Sequence, residues 1–340
     1  MSPEIDPRAG QEVLRIGILG ASGIARDKVL PALTKTKNAR AQLLGTRDPA
    51  GRAPVAEQFG VVGGAVPLDD VIVSPEVDAI YVSLPNTLHL EWILKALDAG
   101  KPVLSDKPMS VTPAEAEAVA RKSRQTGLQV MEGFMFRFHP QNRYIRQRIE
   151  DGSLGDVREA RTYFLFNMLD AVPPTDIRIT DGPGAGAFMD MGCYVVAAAR
   201  MVLGEPVAAS GWQVRDRALG INVGGIANLL FAENKRAQIS WSYDTGNGAN
   251  LQVIGSEAIL ETNNPFVPDQ GTPGETTVLE HNLRTGDQAH HFDTVDQFQL
   301  EFEDFAAAVL SGTDPTYTVE DAVAQAKAMD LVRQLPIIDQ

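Results

Sequence analysis

Over the first 134 residues, short runs of aliphatic and β-branched side chains alternate with amphipathic stretches. Residues 13–19 read as a buried strand, 24–36 as an amphipathic helix containing Pro31, and 41–45 as a second strand. Asp48-Pro49 supplies the N-cap and first-turn proline of a helix running to about residue 59. Residues 79–83 are an apolar strand, followed by Asn86 as the cap of a helix over 89–99 that stops at Gly100. A strand over 102–105, a helix over 112–125 capped by Thr112 and a strand over 128–131 complete the series. Strands alternating with helices of this length predict a parallel sheet with right-handed crossovers.

Beyond residue 134 the pattern changes. One helix, 140–150, leads into stretches of alternating character at 157–166, 207–215, 225–231, 237–243 and 249–254, interrupted by a long helical pattern over 188–203. Strands joined without crossover helices predict an antiparallel sheet. Two helices, 296–310 and 319–335, close the chain. The expected architecture is an α/β N-terminal Rossmann domain with a doubly wound parallel sheet, plus an α+β C-terminal domain with a large open, mainly antiparallel sheet. Residues 1–12 are expected to be a disordered tail and 13–134 the dinucleotide-binding domain. Residues 135–340 then serve substrate binding and oligomerisation, with the last helices free to pack back on the first domain. The cleft between two such domains is the default ligand site. A sheet with one apolar face uncovered usually buries it against another subunit, which predicts a homodimer or a dimer of dimers through the C-terminal sheet.

Composition narrows the function classes. The 340 residues carry a formal net charge of -14, a field that repels phosphate backbones and anionic lipid, so neither nucleic acid nor a membrane surface is an expected partner. No run of 18 apolar residues exists, and the acidic, proline-containing start resembles neither a signal nor a transit peptide. The single cysteine, Cys193, fits a reducing cytoplasmic setting and reads as a small packing residue rather than a nucleophile. Five histidines (His89, His139, His281, His290, His291) include no HExxH, and no CxxC is present, so no metal site is expected. His290-His291 reads as solvated surface.

The first strand–helix turn carries candidate chemistry. Against G-x-G-x-x-G/A the segment reads Gly20-Ala21-Ser22-Gly23-Ile24-Ala25. Gly20 supplies the tight turn and Ala25 close helix–strand packing, while Ser22 replaces the middle glycine and offers a hydroxyl to phosphate. An NAD-selective site places an acid at the tip of the second strand, about 20 residues on. Here the tip reads Thr46-Arg47, and a hydroxyl with a guanidinium suits a 2′-phosphate, so the expected cofactor is NADP(H). Asp48, the nearest acid, is spent as a helix cap. A plain glycine-rich turn and an exposed arginine are the simpler alternatives.

Three further motifs follow in order: Ser83-Leu84-Pro85-Asn86-Thr87-Leu88-His89, Leu104-Ser105-Asp106-Lys107-Pro108, and a segment from Gly184 through Ala185, Gly186 and Asp190 to Tyr194. Together with the glycine loop they resemble the Gfo/Idh/MocA oxidoreductase family over nearly the whole chain. The chain resembles the branch of glucose–fructose oxidoreductase, NADP-dependent D-xylose dehydrogenase and dimeric dihydrodiol dehydrogenase. The resemblance implies that Lys107, matching the lysine of an E-K-P motif, sits beside nicotinamide and the substrate hydroxyl; Asp106 replaces the usual glutamate. In the motif G-G-G-A-L-x-D-x-G-x-H, Asp190 matches the aspartate, Tyr194 stands in the histidine position and Ala185 replaces the middle glycine. Tyrosine there is similar to the sugar and dihydrodiol branch and steers away from inositol. By the same resemblance Leu84, Pro85, Asn86, His89 and Asp106 border the cofactor. Arg178 is similar to an arginine of that branch and is a substrate candidate. Arg137 and His139, with Glu132 nearby, lie at the domain junction and are weaker candidates.

The chemistry also follows without the resemblance. Hydride transfer at a carbinol needs a proton to leave or join the oxygen. A free tyrosine, with a pKa of about 10, is a poor base at neutral pH, and a nearby ammonium favours its phenolate. Tyr194 is thus the proton relay, Lys107 polarises the same oxygen, and Asp190, four residues before Tyr194, orients the substrate or balances the lysine. A core tyrosine, a helix cap and a surface lysine are the alternative roles. The expected function is an NADP-dependent dehydrogenase or reductase acting on CH-OH groups of an aldose or trans-dihydrodiol. A keto-sugar reductase on an activated deoxysugar is the alternative enzyme, and a non-catalytic NADP(H) sensor the alternative of another class. No Tyr-x-x-x-Lys exists, which disfavours the short-chain dehydrogenases.

Overall fold

The computed structural model describes residues 12–268 and 276–340. Apart from Glu12, the expected N-terminal tail lies outside the described residues. The chain divides into two compact units. The first comprises residues 1–135 and 296–323, and the second residues 136–295 and 324–340.

The first unit is built on a six-stranded parallel sheet. Its strands are β1 (Leu14–Leu19), β2 (Ala39–Gly45), β3 (Ala65–Val66), β4 (Ala79–Val82), β5 (Val103–Asp106) and β6 (Val130–Gly133). The order β3-β2-β1-β4-β5-β6 reverses between β1 and β4. Strands β4 and β6 are buried along their whole length, the mark of a sheet covered on both faces. The helices begin where the sequence places them for identifiable reasons. Asp48 accepts from Gly51 N at 3.0 Å to open Pro49–Gln58, and Thr112 with Glu115 forms a capping box on Pro113–Thr126. The late helix Gln297–Ser311, N-capped by Asp296, belongs to this unit: Phe302 meets Tyr81 edge-on, and Asn38 Nδ2 donates to Glu303 O at 2.9 Å.

Two expectations in this unit need correction. The helix expected over 24–36 is a π-helical segment, Ala25–Val29, running into the short α-helix Leu30–Leu33. Pro31 has no N–H to close an ordinary turn on Asp27, and the ladder is wide in the residues before it. Asn86 does not cap a helix with its side chain; it opens the 3-10 turn Asn86–Leu88, and the helix His89–Asp98 follows.

The second unit carries a nine-stranded sheet. Its strands are β7 (Glu159–Leu165), β8 (Pro206–Arg215), β9 (Asn222–Phe231), β10 (Arg236–Ser242), β11 (Gly248–Ile254), β12 (Ala258–Thr262), β13 (Thr276–Asn282), β14 (Gly286–Phe292) and β15 (Ile337–Asp339). The order is β14-β13-β12-β11-β7-β10-β9-β8-β15. Only β7–β10 and β8–β15 pair in parallel, so the sheet is mixed and mostly antiparallel. The helix Cys193–Leu203 packs on β7 and β10 with all but one of its residues buried, including the free Cys193. The opposite face leaves Trp212, Ile226, Leu230 and Tyr163 between 38% and 48% exposed.

Strands β12, β13 and β14 escaped the sequence pattern because their inward and outward positions do not separate apolar from polar. Glu280 of β13 points inward and is 2% exposed. It accepts from Arg148 Nη2 at 2.8 Å, with Tyr144 OH at 3.4 Å and His290 Nε2 at 3.1 Å. Burial pushes its carboxyl up, but hydrogen bonds from Asn282, Arg148 and His290, with the Arg148 charge, outweigh it and hold the group below the ordinary glutamate value. His290 is therefore half-buried and engaged rather than a solvated surface residue, while His291 is exposed.

Candidate active site

Because every strand of the first sheet runs the same way, one edge collects the segments that follow them. The register sets Leu19 beside Gly45 and Val82, Val82 beside Ser105, and Asp106 beside Gly133. The residues after β1 (Gly20 to Ala25), after β2 (Thr46, Arg47), after β4 (Leu84, Pro85, Asn86) and after β5 (Lys107) thus share the carboxyl edge. The strand order reverses there, between β1 and β4, which is the place where open α/β sheets bind ligands.

Gly20 adopts φ +103°, and a Cβ on it would stand 2.6 Å from the carbonyl oxygen of Ser83, so only glycine lets the loop turn this close to β4. Its N–H donates to Gly45 O at 2.9 Å. Ser22 does more than offer a hydroxyl outward: its Oγ accepts from Ala25 N at 3.1 Å and hydrogen-bonds the Ser83 hydroxyl, tying the loop to the end of β4. At Gly23 an added Cβ would meet only the carboxylate end of Asp27, at 4.0 Å, and Ala25 is fully buried. Thr46 is buried and its Oγ1 accepts from Asp48 N at 3.2 Å, while Arg47 is exposed beside it. The loop is shaped for backbone approach, and an exposed guanidinium stands at the neighbouring strand tip. These residues fit a dinucleotide.

The Lys107 segment is held from three sides. Asp106 Oδ1 accepts from the Lys107 N–H at 2.9 Å, Glu132 Oε1 accepts from Met109 N at 2.8 Å, and His89 Nδ1 lies 3.0 Å from Pro108 O. The Lys107–Pro108 peptide is cis. His89 is completely buried, and its Nε2 lies 2.8 Å from Leu84 O, so both ring nitrogens face backbone carbonyls. His89, expected at the cofactor, also staples the Leu84 segment to the Lys107 segment. Glu132, too, supports this segment from beneath.

In the second unit the helix bearing the candidate acid and tyrosine begins with a π-helical turn, Phe188–Gly192, before the α-helix Cys193–Leu203. A plain helix was expected over 188–203. The described residues contain two π-helical segments, this one and the one after the glycine loop, and both fall on motifs singled out from sequence. Asp190 Oδ2 accepts from Tyr243 OH at 2.9 Å and pairs with Arg178 Nε at 3.3 Å. Arg178 is also bound to Asp176. The Tyr194 ring, 6% exposed, sits among Phe136, Phe164 and Phe266 with centroids 5.4 to 5.8 Å away. The turn is anchored by Asn222, whose Oδ1 accepts from both Phe188 N and Trp241 Nε1 at 3.0 Å. Gly186, at φ +94°, lies against Asn222, where a Cβ would meet its carbonyl oxygen at 2.8 Å.

Arg137 is 3% exposed in the turn Met135–Phe138. His139 is completely buried and caps the helix Pro140–Glu150, its Nδ1 accepting from Gln141 N at 3.2 Å. Burial pushes its imidazole down to about 4, so it is neutral near pH 7. A substrate contact was expected at this residue; its Nδ1 caps the helix. Tyr243 and Asn222 were not singled out from sequence. Each lies 34 to 53 residues from its partner on the catalytic-motif turn, and no local spacing announces such a pair. Among the described residues no cluster of His, Cys, Asp and Glu could hold a metal ion, and no helix is long and apolar enough to cross a membrane.

Comparison with known proteins agrees with this arrangement. The model of the oxidoreductase family with an NAD-binding Rossmann fold matches residues 14–134, and the GFO/IDH/MocA C-terminal domain matches residues 142–261. The chain is 33% identical to a dTDP-3,4-didehydro-2,6-dideoxy-alpha-D-glucose 3-reductase from Actinomadura kijaniata, over 96% of each chain. It is 31% identical to D-xylose 1-dehydrogenase (NADP(+)) 2 of Haloferax volcanii, over 94% of this chain and 96% of the relative. A crystal structure of a 3-ketoreductase from Actinomadura kijaniata, in complex with NADP and TDP-benzene, superposes with a TM-score of 0.86 at 32% identity, covering 96% of this chain and 99% of that one. With both halves of the chain matched in order, and relatives aligned along nearly their full length, this protein belongs to the Gfo/Idh/MocA oxidoreductase family.

Proposed function

We propose that this chain is an NADP(H)-dependent oxidoreductase that acts on a CH-OH or keto group of a carbohydrate-like substrate. The observation that carries it is the convergence of Gly20, Thr46, Arg47, Pro85 and Lys107 on one carboxyl edge at the sheet's switch point. The backbone of 20–25 meets the pyrophosphate, Thr46 and Arg47 recognise the 2′-phosphate, and Leu84, Pro85 and Asn86 border the nicotinamide. When bound, the nicotinamide takes or gives the hydride. Tyr194 takes or returns the hydroxyl proton, Lys107 polarises the same oxygen and Asp190 with Arg178 orients the substrate. Lys107 belongs to the first unit and Tyr194 to the second; their joint action on one substrate is part of the proposal. A sensor has no need of a proton relay, so the presence of Lys107, Asp190 and Tyr194 favours an enzyme. The single, buried Cys193 suits the cytoplasm.

Among substrates, aldoses are favoured by the Haloferax relative. Reduction of a keto group on a nucleotide-activated deoxysugar is the second activity, favoured by the Actinomadura relative. Absorbance assays with NADP+ over aldoses and dihydrodiols, and with NADPH over keto-sugars, separate the two. In the same assay Arg47→Ala is expected to raise the KM for NADP+ about tenfold, the loss of one charge-assisted phosphate contact, and to leave NAD+ turnover unchanged. Tight NADP(H) binding with no turnover in either direction would favour the sensor instead.

The oligomer follows from the exposed sheet face. Trp212 pairs with Ile226, Ile226 with Ser240 and Ser240 with Tyr163, forming a row across β8, β9, β10 and β7. This row is the proposed centre of a homodimer, alone or within a dimer of dimers. Light scattering at micromolar concentration is expected to give an oligomer, and Ile226→Asp a folded monomer. A wild-type monomer excludes the assembly.

A further inference from the structure

A second tyrosine faces the candidate site, and its surroundings give it a task different from that of Tyr194. Tyr243 directly follows β10 and is completely buried. Its backbone is fixed at both ends: Tyr243 N donates to Val223 O at 2.8 Å, and Met168 N donates to Tyr243 O at 2.9 Å. Its hydroxyl donates to Asp190 Oδ2 at 2.9 Å, the same oxygen that Arg178 Nε reaches at 3.3 Å. Arg178 is itself placed by Asp176, whose Oδ1 also accepts from Arg178 N at 2.9 Å. The Asp190 side chain is 24% exposed, so the carboxylate is reached by solutes.

We propose that Tyr243 is a positioning residue which, with Arg178, holds the Asp190 carboxylate ionised and oriented as the acceptor for a substrate hydroxyl. This rests on the proposed function, and it divides the work between two tyrosines. Burial and the adjacent carboxylate push the Tyr243 phenol well above 10, so it remains a proton donor across the working range and does not serve as the base. One O–H and one guanidinium N–H on the same oxygen both favour the charged form of Asp190 over the neutral acid. An uncharged polyol hydroxyl, which donates to a carboxylate, matches such an acceptor. Arg178, bracketed by Asp176 and Asp190, has its charge already balanced and is poorly suited to a substrate phosphate.

The test follows Asp190 directly, in the full chain labelled with carbon-13 at aspartate carboxyls. The Asp190 resonance is identified by its loss in Asp190→Asn. Tyr243→Phe keeps the ring and removes one donor, so the Asp190 titration midpoint is expected to rise by about one pH unit. Fluorotyrosine incorporated at 243, a stronger donor that alters no packing contact beyond one fluorine, is expected to lower it, and keeps the test decisive should the phenylalanine variant fold poorly. An unchanged midpoint in both overturns the proposal. In turnover of D-xylose with NADP+, the acid limb of kcat/KM is expected to move in the same direction as the midpoint, with KM for NADP+ unaltered. A midpoint that moves in a chain with no turnover on any sugar leaves Tyr243 as the holder of Asp190 and removes the proposed function.

Discussion

Replacing Tyr194 by Phe is expected to lower kcat about 10²- to 10⁴-fold, the range of a lost general acid–base group, while KM for NADP+ stays near the wild-type value. The separation follows from the molecule. Tyr194 lies in the second unit, among Phe136, Phe164 and Phe266, and the cofactor candidates lie on the sheet of the first. Phe preserves the ring that packs in this cage and deletes only the hydroxyl, so the melting temperature should hold. Lys107→Ala is expected to lose turnover to a similar degree and to weaken cofactor binding as well. The double variant should be little worse than the poorer single one, because groups that act on one proton are not additive. Steady-state kinetics of the three proteins check this. Single effects that multiply in the double variant, or full activity in Tyr194→Phe, remove the proton relay from Tyr194.

Much of this site was legible because its chemistry is written in short segments. A parallel sheet delivers the end of every strand to one edge, so Gly20, Thr46, Pro85 and Lys107 could be grouped from strand order alone. What could not be read was the support beneath them. Ser22, expected to offer its hydroxyl to phosphate, also bonds Ser83, 61 residues away. His89, expected at the cofactor, also spans Leu84 and Pro108 with its two nitrogens. Asn222 and Tyr243 act across loops too long for any local pattern. The same limit hid β13 and β14: inward Glu280 breaks the period-2 alternation, and it is tolerable only because Arg148, Tyr144 and His290 converge on it. The two π-helical turns escaped for a different reason. A widened turn keeps the composition of an ordinary helix, and what betrays it is a hydrogen-bond ladder that composition does not record.

Between pH 6.5 and 4 the wild-type chain is expected to lose stability that a His139→Asn variant retains. In the unfolded chain an imidazole takes up a proton as pH falls through its ordinary value of 6.5, whereas burial holds His139 neutral in the folded chain down to about 4. The unfolded state therefore binds the proton first. A depressed folded value contributes stability that is complete above pH 6.5, declines as pH falls below it and is gone beneath about 4. The gap corresponds to on the order of 3 kcal/mol. His139 is placed where this loss is felt: it caps Pro140–Glu150, and Gln141 and Asn142 in the first turn of that helix are completely buried and hydrogen-bonded to the Asn264–Pro265 segment. Asparagine offers the same capping acceptor without a titrating ring. Other groups that titrate across the window are common to both proteins and cancel in the difference. Urea unfolding of the two proteins at several pH values between 7 and 4 reads the effect, with the wild-type midpoint falling more steeply than the variant's. Parallel curves would place the wild-type imidazole in a setting that accepts a proton as readily folded as unfolded, contrary to a ring buried at the start of a helix.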